Sequence, residues 1–558
     1  MLIDARTLPA ETDIETDLCI VGSGVAGLTL AQALADTGLR IVVLEGGGLD
    51  YEPESQALYE GRMLGNPAAG LDWSRLRYFG GTSNHWGGYC RPLDPIDFSA
   101  RAWVPESGWP IDAASLAPYY ARAVDILDID SPDFSAERWQ GRFAPVLGQP
   151  ALADALPTVV FQQSPPTRFA EKYRSVVEHG RGIDAHLWAN VVAIETDATA
   201  RTVHAVRVAC LTGNRYRVRA RWYVLATGGI ENARLLLASN AVASAGLGNG
   251  HDLVGRYFMD HPSFDAGTIT FHGSSAIARH PIGSGIDAGF GLPPEVQAQE
   301  QLLNFNCYVR PATRETVDPS GYAALRELSR SITRGHLPVG WQGLVGEVAA
   351  DLGGAAGGLW NRLFDEPGEL VAHVYPEVAP QRDSRVVLST ERDALGLPRA
   401  DLDWRLGELD RRTIVRGLER VGAGFALAGL GRLRIDEWLL EPGFAVPDGS
   451  YHHIGTTRMA DNPRQGVVDR DCRVHGTSNL YIAGSSVFPT SGHAPPTMTI
   501  VALTLRLADH LRTATKVDER GRRASAPAGR LPAETATPSG DVHGLSLDER
   551  RAPLSTSA

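Results

Sequence analysis

The sequence predicts an α/β fold in which the strands of a Rossmann-like sheet are dispersed along the chain, with a second domain inserted between them. Three observations support this prediction. A short apolar run, a glycine-rich turn and a helix rich in alanine and leucine follow one another near the N-terminus. Further strand-like runs stand at residues 185–226 and 480–483. Long inserts separate these runs, and we interpret them as the second, substrate-facing domain.

The first of these segments is a complete βαβ unit of about 30 residues. Asp17–Val21 is a short apolar run that indicates a buried parallel strand. The helix begins after three glycines and ends at Gly38. Arg40–Leu44 is the next strand, and Glu45 closes it.

Strand-like alternation returns in the middle of the chain and near its C-terminal end. The predicted strands there are Ala185–Thr196, Val203–Leu211, Tyr216–Ala220, Trp222–Ala226 and Leu480–Ala483. One helix follows Gly229, and a C-terminal helix follows Gly484. From about Ala514 the chain is polar and rich in proline, alanine and arginine, which is typical of a disordered tail.

Charge and cysteine content exclude several classes of function. The 558 residues carry a formal net charge of −12, which argues against a nucleic-acid partner because such proteins present basic surfaces. The five cysteines show no CxxC spacing, so we predict no disulfides, no thiolate metal site and a reducing, cytoplasmic location. No apolar run approaches the roughly 18 residues of a membrane span, and no secretory signal is visible.

The glycine-rich turn reads Gly22-Ser-Gly24-Val-Ala-Gly27 and stands between a strand and a helix. Such glycines permit a tight turn, the approach of a pyrophosphate and close packing of the helix, whose N-terminus offers N–H donors to phosphate. Glu45 would accept hydrogen bonds from ribose hydroxyls. We therefore predict a dinucleotide site, although this motif does not distinguish NAD from FAD. The predicted contacts are Gly22, Gly24, Val25, Ala26, Gly27 and Glu45.

A second glycine-rich loop distinguishes the two cofactors. Residues 79–91 read FGGTSNHWGGYCR, in which four glycines flank a histidine and a tryptophan. Together with Val254–Pro262, His452–Met459 and Asn479–Leu511, this loop resembles the glucose–methanol–choline (GMC) flavoprotein oxidoreductase family, in particular its bacterial members and the pyranose oxidases. The motifs follow the order of that family but do not extend through residues 263–380.

The resemblance implies FAD as the cofactor, an FAD-binding domain of the glutathione reductase type, and an interleaved α+β substrate-binding domain built on an antiparallel sheet. It divides the chain into three FAD-binding parts (1–89, 185–262, and 451–513 with the catalytic histidine), a mixed cap and substrate insert (90–184), the substrate-binding domain (263–450) and the disordered tail (514–558). The further FAD contacts that it implies are Gly80, Gly81, Thr82, Asn84, His85, Gly87, Val192, Gly228, Gly484, Pro496 and Thr497.

His85 has two alternative roles. In pyranose oxidases a similar Ser-Thr-His-Trp stretch carries a histidine bonded covalently to the flavin, and Ser83-Asn84-His85-Trp86 keeps the His-Trp pair. The alternative is a histidine that packs or hydrogen-bonds beside a non-covalent flavin. The sequence leaves both open.

His452 is the predicted catalytic base. The stretch His452, Gly455, Thr456 and Met459 resembles the H-x-x-G-T-x-x-M motif of the family, which places an imidazole near the flavin. An alcohol must lose its O–H proton as its C–H hydride moves to flavin N5, and an imidazole titrates near neutrality. The adjacent His453 is expected to be structural.

The sequence departs from the family at the second catalytic position. Pro495 stands where relatives have asparagine or histidine, and a proline side chain neither donates nor accepts a hydrogen bond. His493 could take over that role, or the enzyme works with one histidine. The other histidines, among them His261 and His373, show no metal-ligand spacing, so we predict no metal and place them on the surface or in the core.

The resemblance thus implies FAD-dependent oxidation of a CH–OH group of a sugar, glycoside or related alcohol. Two alternatives remain, namely a lyase of the same family with a non-redox flavin and a non-catalytic flavin-binding subunit. The sequence does not decide whether oxygen or another acceptor reoxidises the flavin, and it does not predict an oligomeric state.

Overall fold

The computed structural model describes residues 1–66, 69–143, 150–272, 285–311, 341–353 and 370–525, with residues 324, 325, 328 and 356. Its strands are β1 (Leu2–Asp4), β2 (Asp13–Val21), β3 (Ile41–Leu44), β4 (Tyr89–Cys90), β5 (Thr158–Gln163), β6 (Ile183–Leu187), β7 (Asn190–Thr196), β8 (Val203–Ala209), β9 (Arg215–Leu225), β10 (Phe264–Phe271), β11 (Ile286–Gly291), β12 (Phe305–Pro311), β13 (Leu370–Pro376), β14 (Arg385–Arg392), β15 (Pro398–Asp403), β16 (Gly431–Ile435) and β17 (Leu480–Ile482).

The helices of the described residues are α1 (Val25–Leu34), α2 (Pro53–Gln56), α3 (Pro95–Phe98), α4 (Ala113–Leu127), α5 (Pro150–Ala153), α6 (Phe169–His179), α7 (Gly228–Ala238), α8 (Pro294–Glu300), α9 (Trp341–Ala350), α10 (Glu408–Leu427) and α11 (Thr497–Ser525). Short 3₁₀ turns lie between several of them. No helix of this part of the chain is long and apolar enough to cross a membrane.

The first sheet has the strand order β1-β6-β3-β2-β9-β8-β7, and β17 pairs with the carboxyl-terminal half of β9. β2 lies between β3 and β9 and is parallel to both, whereas β7 and β8 form an antiparallel meander with β9. Strands from three distant parts of the chain therefore build one sheet. This confirms the predicted α/β fold with dispersed strands.

Three parts of the sheet differ most from the prediction. β2 begins at Asp13, four residues earlier than expected, because residues 13–16 pair with β9. The predicted strand Ala185–Thr196 is two strands, β6 and β7, separated where Trp188 has φ of 56°. The predicted strands Tyr216–Ala220 and Trp222–Ala226 are one continuous strand, β9.

The second sheet is antiparallel, with the order β16-β10-β13-β12-β11-β5-β4, as the resemblance implied. α10 packs on it, and the Phe290 and Phe425 rings meet edge to face with centroids 5.3 Å apart. Gly417 permits this approach, because a Cβ there would lie 2.7 Å from the Phe305 ring. β14 and β15 form a separate hairpin.

Residues 1–512 form one compact unit. We expected disorder from Ala514, but α11 continues to Ser525, so this prediction is wrong for residues 514–525. Alanine, lysine, glutamate and arginine in this stretch favour helix despite its polarity. Residues 526–558 lie outside the described part.

Candidate active site

A cavity of about 1240 Å³ opens between loops of both sheets. Gly22, Glu45 and Val192 line it from the parallel sheet, and Tyr308 and His373 line it from the antiparallel sheet. The predicted cofactor loops and the predicted base therefore face one continuous space.

The three glycines of the first motif have three different surroundings. A Cβ on Gly22, which has φ of +102°, would lie 2.5 Å from the carbonyl oxygen of Ala226. A Cβ on Gly27 would lie 1.9 Å from the carbonyl oxygen of Gly22, whereas one on Gly24 would meet nothing within 4 Å. No side chain of the described residues caps the first N–H groups of α1. In this part of the structure the loop thus combines open space with uncapped N–H donors, which is what a pyrophosphate requires.

Glu45 ends β3 and joins two loops of the cavity. Its carboxylate accepts from the Ser23 hydroxyl at 2.6 Å, from the Ser23 N–H at 3.1 Å and from the Gly47 N–H at 3.0 Å. The Ser23 hydroxyl in turn accepts from the Gly80 N–H at 3.1 Å. Because an ionised carboxylate has about four acceptor positions, Glu45 retains capacity for a ribose hydroxyl.

The second glycine loop packs directly on the first. A Cβ on Gly81 would lie 3.3 Å from the Cα of Gly24. Thr82, His85 and Gly87 line the cavity, and the exposed His85 side chain makes no hydrogen bond within the described residues. This placement suits both alternatives for His85.

Most of the remaining predicted cofactor residues also line the cavity, namely Val25, Ala26, Val192, Gly228, Gly484, Pro496 and Thr497. Gly27, Gly80 and Asn84 are not among the residues that line the cavity, and their contact with the cofactor stays a prediction. Asn84 donates to the carbonyl of Phe79 at 2.9 Å, so it fixes its own loop. Gly80 adopts φ of 91°, which glycine tolerates, and Gly27 allows the close approach of the Gly22 carbonyl. Both residues support the loop conformation without lining the cavity.

A buried charge cluster at this cavity was not predicted. Glu231 on α7 pairs with Arg75 at 2.9 Å and with Arg234 at 3.2 Å, and Arg234 also pairs with Asp393 at 2.6 Å. Burial opposes ionisation of Glu231, but Arg234, Arg75 and Arg77 outweigh it and lower its pKa to about 2. These residues are separated by up to 318 positions in the sequence, so no local motif marks the cluster.

The backbone that carries His452 is held by Asp260. This carboxylate accepts from the N–H groups of Ser450 at 3.3 Å, Tyr451 at 3.1 Å and His452 at 2.8 Å. Tyr451 adopts φ of 59°, which is uncommon for a bulky residue and persists only when its surroundings enforce it. Burial raises the pKa of Asp260 to about 7.

The tautomer of His452 follows from its partners. His261 Nε2 lies 2.8 Å from the carbonyl of Gly492 and must donate to it, because a carbonyl only accepts. Burial lowers the pKa of His261 to about 4, so its ring is neutral and Nδ1 is an acceptor. His452 Nδ1 lies 3.1 Å from that atom and therefore carries the proton. Tyr375 Oη lies 2.6 Å from His452 Nδ1 and is a second acceptor for the proton on that nitrogen.

The remaining nitrogen of His452, Nε2, is therefore a lone-pair acceptor. The residue lines the cavity, and desolvation together with the nearby His261 holds its pKa well below the usual range. The ring is thus neutral near pH 7 and can accept a proton. His453 also lines the cavity, and burial lowers its pKa to about 3.

His493 does not lie where a second catalytic residue would act. It is 1% exposed, does not line the cavity, and its Nε2 lies 3.1 Å from Asp94 Oδ2. Pro495 lines the cavity instead. We therefore withdraw His493 as a catalytic candidate. Three residues contact His452, namely Asp260, His261 and Tyr375. Asp260 and His261 stand in the motif Val254–Pro262, whereas Tyr375 stands in no motif of the sequence.

Within the described residues no group of three or more histidine, cysteine, aspartate or glutamate side chains is placed to hold a metal ion. All five cysteines are unpaired and buried.

A dinucleotide cradle on a parallel sheet, opening onto a neutral histidine at the edge of an antiparallel sheet, defines the class of nucleotide-dependent oxidoreductases. Comparison with known proteins narrows this class. Residues 380–504 match the family model described as GMC oxidoreductase. The chain is 25% identical to a 2-methyl-1,2-propanediol dehydrogenase of Mycolicibacterium austroafricanum, over 91% of this chain and 97% of that protein.

It is also 25% identical to the large subunit of a fructose dehydrogenase of Gluconobacter japonicus, over 89% of this chain and 97% of that protein. A solved formate oxidase variant of Aspergillus oryzae RIB40, studied for modification of its FAD, superposes with a TM-score of 0.55 at 17% identity, over 90% of this chain and 99% of that chain. Residues 380–504 are thus a domain of the GMC oxidoreductase family. The protein is an FAD-dependent oxidoreductase of CH–OH groups.

Proposed function

We propose that the protein oxidises a CH–OH group of a polyhydroxylated alcohol, such as a sugar or glycoside, with His452 as the general base. The observation that carries this proposal is the neutral His452 ring, whose Nδ1–H is held by His261 and Tyr375. Among the described residues its Nε2 has no hydrogen-bond partner, and His452 lines the cavity that the cofactor loops also line.

Oxidation of an alcohol removes a proton from oxygen and a hydride from carbon. Nε2 of His452 takes the proton, and the N–H on Nδ1 stabilises the resulting imidazolium through its acceptors. FAD, when bound, supplies the acceptor for the hydride. The cradle of Gly22, Gly24 and Gly81 would hold the pyrophosphate, and Glu45 the ribose.

The polyhydroxylated substrate class is supported by the wall opposite the cradle. Tyr308, Arg310, His373 and Tyr375 line the cavity from adjacent strands of the antiparallel sheet, so hydrogen-bonding side chains outnumber apolar ones there. Two of the similar proteins are named for a diol and for a sugar. We keep the cytoplasm as the proposed location, because the cysteines are unpaired.

The test is anaerobic reduction of the FAD-loaded enzyme, which is monitored by the loss of absorbance of the oxidised flavin. A panel of sugars, glycosides and polyols is mixed with the enzyme, and we expect at least one polyol to bleach the flavin in single turnover. If no alcohol bleaches it while a cyanohydrin is cleaved, the lyase alternative replaces the proposal. Subsequent mixing with oxygen or an artificial acceptor identifies what reoxidises the flavin.

A further inference from the structure

A second chain of hydrogen bonds lies one step along the antiparallel sheet from His452. Ser263 Oγ is 2.9 Å from His373 Nε2, and His373 Nδ1 is 2.8 Å from Asp265 Oδ1. Arg310 donates to the same Asp265 oxygen from Nε at 3.1 Å and from Nη2 at 2.8 Å. Ser263, Arg310 and His373 line the cavity. The base at His452 does not use any of these four residues.

The partners fix the direction of each hydrogen bond. A carboxylate only accepts, so His373 Nδ1 carries its proton and donates to Asp265. Burial and Arg310 lower the pKa of His373, although Asp265 opposes them, so the ring is neutral and Nε2 is an acceptor. The Ser263 hydroxyl must then donate to His373. Within the described residues its oxygen lone pairs have no other partner, so they can accept from a donor in the cavity.

The sheet register places this group beside the base. His373 and Tyr375 are two residues apart on β13, so their side chains share one face roughly 7 Å apart along the strand. Tyr375 contacts His452, and His373 contacts Ser263. Ser263 therefore faces the part of a substrate that extends beyond the alcohol held at His452.

We propose that the chain Ser263–His373–Asp265 is a substrate subsite that binds a second hydroxyl of the same polyol, with the serine oxygen accepting its O–H. The inference rests on the proposed function and deepens it. Asp265 and Arg310 hold His373 in the tautomer that orients the serine, so they act as positioning residues. The subsite selects diols and sugars over simple alcohols, because only the former carry the additional donor.

The test compares cyclohexanol with cyclohexane-1,2-, 1,3- and 1,4-diol in anaerobic flavin reduction by the FAD-loaded enzyme. For the wild type we expect at least one diol to give a second-order rate constant about tenfold above that of cyclohexanol, the size of one additional hydrogen bond. Ser263→Ala should remove this preference, so that the ratio of the diol rate constant to the cyclohexanol rate constant falls to about one. Ser263→Thr keeps the hydroxyl and should retain the preference.

Ser478→Ala is the matched control, because Ser478 is exposed and bonds Thr202 away from the cavity. Equal rates for all four alcohols in the wild type, or a diol preference that survives Ser263→Ala, would refute the subsite and leave the proposed function intact. Failure of these four alcohols and of every sugar, glycoside and polyol of the first panel to reduce the flavin would instead refute the proposed function, and the subsite with it.

Discussion

His452 owes its chemistry to atoms that its own motif does not contain. Its backbone is fixed by Asp260, and its ring by His261 and Tyr375. These contacts determine which nitrogen faces the cavity. A histidine with the same sequence neighbours but without these partners would have no fixed tautomer, and some of its rings would present a proton at Nε2 instead of a lone pair.

Tyr375→Phe tests this network. The substitution removes one acceptor from the His452 Nδ1–H, so the imidazolium that forms during catalysis is less stabilised. We expect the rate of flavin reduction by a polyol to fall about tenfold, the size of one charge-assisted hydrogen bond, with FAD affinity unchanged. The limiting rate in single turnover and an FAD titration measure the two quantities.

Tyr119→Phe is the matched control for that variant, since Tyr119 on α4 contacts Arg122 outside the cavity. A wild-type rate of reduction in Tyr375→Phe would show that the tyrosine does not support the base. An equal loss in both variants would indicate a general loss of stability.

The sequence predicts the candidate base but not its supports, and distance along the chain explains the difference. His452 stands in a local motif that can be read directly. Tyr375 and His261 lie 77 and 191 positions away. Strand β13 of the antiparallel sheet brings Tyr375 to the ring, and the bridges Met259–Ile454 and Pro262–Gly449 bring His261. For the same reason the sequence alone places His261 and His373 in the core or on the surface. It suggests a catalytic role for His493 only because His493 stands two residues from Pro495.

At the scale of elements, the βαβ unit β2–α1–β3 is the most predictable part of the molecule. Its contacts are local, and its glycines have steric roles that do not depend on the rest of the fold. The predicted strand at Ala185–Thr196 failed because its break depends on a left-handed Trp188. That residue donates from its indole to Glu52 at 2.7 Å, a partner 136 positions away.

Substitutions in the first glycine motif separate cofactor binding from folding. Gly24→Ala adds a methyl group to open space at the start of α1, so we expect a folded protein that binds FAD at least about tenfold more weakly. Gly27→Ala forces a methyl group onto the Gly22 carbonyl and should cost about 1–3 kcal/mol of stability. Titration of the apoprotein with FAD and thermal unfolding measure these effects.

Gly250→Ala serves as the control for Gly24→Ala, because a Cβ there also meets nothing within 4 Å. It should leave FAD affinity unchanged. If Gly24→Ala binds FAD as tightly as Gly250→Ala, the cradle does not hold the pyrophosphate.

On the scale of the whole molecule, function arises where two sheets meet. The parallel sheet contributes the cradle, and the antiparallel sheet contributes Tyr375, Ser263 and His373. The family motifs in the sequence predict that both sheets exist. They do not predict the wall of the cavity, because β10 to β13 fall mostly in residues 263–380, where the resemblance carries no motif.

The central claim, that a neutral imidazole in the shared cavity takes the proton of the alcohol, is tested most directly by one measurement. It is the anaerobic rate of flavin reduction by the best polyol of the panel, in His452→Ala compared with the wild type. The control is His204→Ala, which alters an exposed histidine on β8. We predict that His452→Ala binds FAD normally but reduces it about 10²–10⁴-fold more slowly, the usual contribution of a general base. A flavin in His452→Ala that is reduced as fast as in His204→Ala would contradict the account.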